Sequence, residues 1–202
     1  MRERPILFNG AMVRAILAGQ KTQTRRAVKG IALDWLGKAQ FTPEYVASPG
    51  NDLCPFGQAG DRLWVRESFT DLRGTGIEHR PNIDGPIQRY AYSADTRPGA
   101  PGDYARKDYG IKWRPSIHMP REACRLVLEI TAVRIERLQD ISEDGALAGG
   151  VDHFAVGMAL ATGVDCAARA LFREMWERAG GDWDSNPWVW VVEFKRVEVP
   201  GG

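Results

Sequence analysis

Cysteine, histidine and long apolar runs are all scarce in this chain, and each scarcity narrows what it can be. The three cysteines, Cys54, Cys124 and Cys166, are odd in number, widely spaced and never in a C-x-x-C pair. That argues against a disulfide framework or zinc site and for free thiols in a reducing cytosol. His79 and His153 have no partners at metal-ligand spacing, so neither a metal nor a cofactor is expected. The densest apolar run, "WVWVVEF" at 188–194, is far too short to cross a bilayer. The charged start at Arg2, Glu3 and Arg4 is unlike a signal peptide. A cytoplasmic protein with no membrane partner is expected.

Net charge is also nearly absent, at +1. Its distribution is uneven: residues 1–30 hold Arg2, Arg4, Arg14, Lys21, Arg25, Arg26 and Lys29 against Glu3 alone, a local +6. Such a segment suits phosphates or carboxylates, or else a salt-bridged rim. With 202 residues and 44% hydrophobic content the chain can bury a real core, and 1–202 reads as one domain.

The periodicities predict mainly strands. "PILF" (5–8), the alternating "RLWVRESF" (62–69), "QRYAYSAD" (88–95), "RLVLEITAVRIERL" (125–138) and "WVWVVEFKRV" (188–197) all read so. Asn9 is placed to cap a helix ended by Gly19, Ser142 a short helix over 143–149, and Asp165 a helix over 166–179. Segments 29–58, 71–87 and 97–110 read as loop elaborations. Strands far outnumber helices in this reading, and a small β-barrel with helices over its openings is the expected fold.

The motifs "ILAGQKTQTRR" (16–26), "GDRLWVRESF", "RYAYSAD", "WRPSIHMPR", "LEITAVRIERLQDIS" and "NPWVWVVEFKRV" occur in one order along most of the chain. Together they resemble the ASCH-domain family, relatives of the PUA fold, and most of all the versions carried by phages and prophages. The resemblance implies an α+β, PUA-like mixed β-barrel with flanking helices that binds RNA or a modified nucleoside or nucleotide. One bacterial branch of such proteins is a 4-acetylcytidine amidohydrolase, and another member has been described as a ribonuclease. The "AG-x-K-T-x-T-x-R" pattern of that amidohydrolase branch falls on Ala18, Gly19, Lys21, Thr22, Thr24 and Arg26. The resemblance makes Lys21 and Thr24 the catalytic candidates. The branch's catalytic glutamate, counted forward from "LEIT" without gaps, falls on Gly149.

Amide hydrolysis needs a nucleophile, a proton acceptor and donors for the oxyanion. Thr24 offers a hydroxyl, Lys21 an amine, and Arg25 and Arg26 cations for a phosphate or base edge. Lys21 and Thr24 share a face only if the chain bends after Gly19. The simpler use of the segment is Lys21 on helix-end carbonyls, with Thr22 and Thr24 opening a strand. Glu67 is a further candidate, to fix Lys21 or a base edge, and Arg66 beside it a binding one. Trp64 and Trp113 are candidate stacking platforms; Arg114, His118 and Arg121 accompany Trp113 in a proline-stiffened segment. Trp176, Trp188 and Trp190 read as core.

Overall fold

The computed structural model describes residues 1–76, 87–96 and 98–197. His79 and most of the polar stretch 71–87 lie outside them.

The chain opens with β1 (Glu3–Leu7), α1 (Gly10–Leu17) and β2 (Gln23–Ala27), then α2 (Ile31–Leu36) and α3 (Pro43–Ala47). Next come β3 (Arg62–Arg66), β4 (Phe69–Asp71), β5 (Tyr90–Tyr92) and α4 (Pro101–Asp108). The last half holds β6 (Val127–Arg137), α5 (Glu143–Ala148), α6 (His153–Ala161), α7 (Ala167–Arg178) and β7 (Trp188–Val197). The class is α+β. Helices are as numerous as strands among the described residues, against the strand-dominated expectation. The supposed loops 29–58 and 97–110 hold α2, α3 and α4.

Five strands form a sheet in the order β1-β3-β6-β7-β2, antiparallel except for the β1–β3 pair, and β4 and β5 form a separate hairpin-like pair. The two edges of the large sheet are bridged by a side chain, the Arg26 guanidinium donating to Leu7 O at 2.8 Å.

β7 explains the layering. Val189 and Val191 point to one face and pack with Leu138, Ile141, Ala146 and Phe172 from the α5–α7 side. Trp190, Val192 and Phe194 alternate to the other face and join Val13, Ile16, Ala32 and Val46 from α1, α2 and α3. A strand buried on both faces reads as a continuous apolar run, which is why its sequence is so distinct.

Asn9 and Ser142 cap their helices as expected, accepting from Met12 N and Gly145 N. Asp165 does not cap α7. Cys166 adopts a left-handed backbone at the helix entrance, and Glu143 takes over, its two oxygens accepting from Ala168 N and Arg169 N at 2.9 Å each.

Candidate functional site

The bend after α1 determines where the basic segment goes. Gln20 N and Lys21 N both donate to Ala15 O, turning the chain off the helix before β2 begins at Gln23. Thr22 N then donates to Ala148 O, fastening the segment to the end of α5. Lys21 and Thr24 consequently line the same cavity, of about 300 Å³, with Arg25, Arg26 and Lys29. Its opposite wall comes from α7 and the turn after it: Phe172, Met175, Trp176, Gly180 and Gly181. No carboxylate lines it among the described residues.

Lys21 is 4% exposed. Its Nζ donates to Gln23 O at 2.7 Å and to Gly149 O at 2.6 Å, and it sits 5.6 Å from the centre of the Phe8 ring. Burial, then the nearby charges of Arg26 and Arg25, lower its pKa to about 7. The lysine therefore does meet a helix-end carbonyl, but that of α5, far along the chain. Gly149, on which the family's glutamate position falls, is the residue whose carbonyl holds Lys21. A Cβ at 149 would lie 3.0 Å from the Phe172 ring, so an aromatic wall occupies the space a side chain there would need. At Gly150 (φ +92) a Cβ would press on the Lys21 stem at 3.1 Å, so glycine there lets the segment lie against the lysine.

Thr24 is 2% exposed, and nothing hydrogen-bonds its hydroxyl among the described residues. Arg25 is committed to structure: it bonds Glu136 Oε1 and Gly145 O, and lies 5.7 Å from the Phe172 ring centre. Arg26 spends one nitrogen on Leu7 O and rests against Phe8 at 5.4 Å. The indole N–H of Trp176 is buried with no partner among the described residues. A Cβ on Gly181 would fall 2.2 Å from that nitrogen, so glycine is required for the ring to close the wall.

The other predicted residues gather elsewhere. Glu67 is held by Arg125, through Nε–Oε1 at 2.8 Å and Nη2–Oε2 at 3.0 Å, and no hydrogen bond joins it to Lys21. Burial pushes its carboxyl above the ordinary range, against the pull of Arg125. Arg66 and Arg121 lie near Trp64, 5.4 and 5.9 Å from its ring centre; Arg66 also donates to Ile117 O, and Arg121 pairs with Glu3. Trp113 borders a separate cavity beside α4, with Arg106 5.3 Å from its ring centre. His118 borders another, with Arg114, Asp71, Arg89 and Glu122.

Sequence reasoning missed the α7 wall and Lys29. Phe172, Met175 and Trp176 follow helical spacing, and a core stripe and a cavity wall share that signal.

Fold and cavity together define an α+β protein with a cation-lined, aromatic-backed cleft. In structure the chain is similar to an ASCH domain from Lactobacillus crispatus JV V101, at 15% identity and a TM-score of 0.39, over 96% of this chain and 79% of that one. It is also similar to a DUF984 protein from Enterococcus faecalis V583, at 11% identity and a TM-score of 0.37, over 100% of this chain and 84% of that one. No protein-family model and no curated protein sequence matches the chain.

Proposed function

We propose that this chain is an ASCH-type, PUA-like protein whose cleft binds a modified nucleotide, free or within RNA. The observation that carries the reading is the lining of the cavity. Arg26 and Lys29 supply cations, Lys21 an amine, Phe172 and Trp176 supply aromatic surface, and no described carboxylate lines the cavity to oppose an anion. A base takes the apolar and aromatic wall while phosphate or carbonyl oxygens take Arg26, Lys29 and Lys21. The ordered motifs from "ILAGQKTQTRR" to "NPWVWVVEFKRV" support the same assignment.

Titration calorimetry with nucleoside monophosphates and short single-stranded RNAs at low salt tests it. Binding is expected, and R26A should weaken it by about tenfold, the loss of one charge-assisted contact. Absence of binding by every member of the panel ends the proposal.

A second reading, hydrolysis of N-acylated cytidines or of RNA, draws on the Lys21 amine with its pKa of about 7 and on the Thr24 residue that lines the same cavity. In it Lys21 takes the proton as the Thr24 oxygen attacks the acyl carbon, and returns it to the cytosine amine as the C–N bond breaks. It then draws a proton from the water that cleaves the threonyl ester, releasing the carboxylic acid and restoring Thr24. Gly149 brings no carboxylate, so that chemistry rests on the lysine–threonine pair. The expected result is turnover that K21A and T24A both abolish. Equal turnover by K21A and the parent protein removes the reading.

A further inference from the structure

A cavity of about 290 Å³ lies between the β4–β5 pair and α4, and it shares no described lining residue with the cationic cleft. Small residues make room for it. Ala91 stands opposite Thr70 in the β4–β5 register, and Gly102 and Ala105 bring no bulk from α4. Both α4 residues are exposed and form the rim. The walls are held by contacts that leave the interior open. The buried carboxylate of Asp103 accepts from Gly99 N and pairs with Arg106 and Lys107, which fixes α4. Phe69 and Arg114 exchange backbone hydrogen bonds, and this bridge sets Trp113 beside Thr70 on the cavity wall.

Thr70 points to a ligand. Phe69 packs with Tyr90, Tyr92 and Met119, so the next side chain on the strand turns the other way, to the cavity. Thr70 is 5% exposed, and its hydroxyl has no hydrogen-bond partner among the described residues. Buried hydroxyls are ordinarily paired, so this one is matched by whatever fills the cavity. The wall around it, with Leu72, Ile111 and the Trp113 ring, suits an apolar surface better than water.

The charges at the cavity are already answered. Both Asp95 oxygens accept from Arg125, and Arg106 is spent on Asp103 and Ile111 O. A charged ligand gains little here to offset its lost hydration, whereas a flat uncharged one covers the apolar wall.

We propose that this cavity binds a small uncharged aromatic heterocycle of one or two rings, which packs on Trp113 and donates a hydrogen bond to the Thr70 hydroxyl. The volume limits the size, lying at the lower end of the roughly 300–1,000 Å³ of pockets that hold drug-sized molecules. The site stands independently of the nucleotide reading of the cationic cleft.

The test is NMR titration of isotope-labelled protein with indole, read at the Trp113 side-chain N–H signal, which W113F identifies by removing it. A saturable shift is expected. Indene has the shape of indole without the N–H donor. The ratio of indole to indene affinity, measured within each protein, should fall by about three- to tenfold in T70V, the worth of one hydrogen bond. A purely structural role for Thr70 leaves that ratio unchanged. A91F and A105F fill the cavity from β5 and from the rim of α4, and each should abolish the shift. A105F changes an exposed position and keeps the test decisive where A91F does not fold. No saturable shift with indole, an unchanged ratio in T70V, or binding retained in A105F overturns the site.

Discussion

Two carbonyl oxygens, Gln23 O and Gly149 O, take two hydrogens of the Lys21 amine. A neutral amine has only two, so once the third proton leaves, the lone pair is what remains for the cavity. The expected pKa of about 7 makes that state well populated at neutral pH. An NMR titration of the Lys21 side chain should show a midpoint near 7, and a midpoint near the ordinary 10.5 would refute the burial argument. The same shift has a consequence for stability. Below the folded value both states hold the proton, and the buried ammonium destabilises the fold in full. Between about 7 and 10.5 the unfolded chain holds one proton more, so stability rises with pH. Relative to K21M, the parent protein should gain up to about 1.4 kcal/mol per pH unit across that window. Urea melts of both proteins at stepped pH measure it, and a constant difference contradicts it. Glu67 behaves differently because its partner is fixed. It is 1% exposed and doubly bonded by Arg125, so E67A leaves that guanidinium paired with Asp95 alone. A loss of about 1–3 kcal/mol in unfolding free energy is expected.

At the level of elements, the start of α7 gives the most direct comparison. Glu143 reaches the first free amides of the helix across 25 and 26 positions of sequence. E143A should therefore cost about 1–2 kcal/mol in denaturant melts, the usual worth of a cap. D165A should stay within about 0.5 kcal/mol, as an exposed substitution does. Equal losses would restore Asp165 as the cap. The strands were legible for two reasons: β3 buries alternate side chains, so a period of two survives in sequence, and β7, buried on both faces, reads as an apolar run. Helices α2 and α3 were not legible. They are short, and Trp35, Phe41 and Tyr45 hold them by ring stacking, with Trp35–Phe41 centres 4.7 Å apart. Helix α6 escaped for another reason: Phe154, Met158 and Leu160 are exposed while Val156 packs inward, so apolar residues ring the helix and no amphipathic stripe marks it. Lys21, Thr24 and Arg26 were visible as a cluster in one stretch. The group that holds Lys21 is a backbone oxygen, and no side-chain pattern announces a carbonyl 128 residues away.

Across the whole molecule, the local +6 of the first thirty residues is mostly spent internally. Arg2 and Arg4 pair with Asp52, Arg14 donates to Ala94 O, and Arg25 is locked to Glu136. Lys21 is buried and, with a pKa of about 7, only partly charged near pH 7. Arg26 and Lys29 are then the lasting charges that the cleft offers a ligand. This count makes a quantitative statement about how far a ligand extends. Each phosphate contacted on a single strand contributes a slope of about −0.7 to log K against log salt. A short RNA that places a single phosphate in the cleft should give about −0.7 between roughly 50 and 300 mM salt. If short RNA is instead drawn over the surface around Trp64, where Arg66 and Arg121 lie near the ring, two further phosphates are neutralised and the slope steepens to about −2. The two outcomes assign different footprints to the same protein. R66A should flatten the slope in the second case and leave it untouched in the first, because Arg66 does not line the cationic cleft.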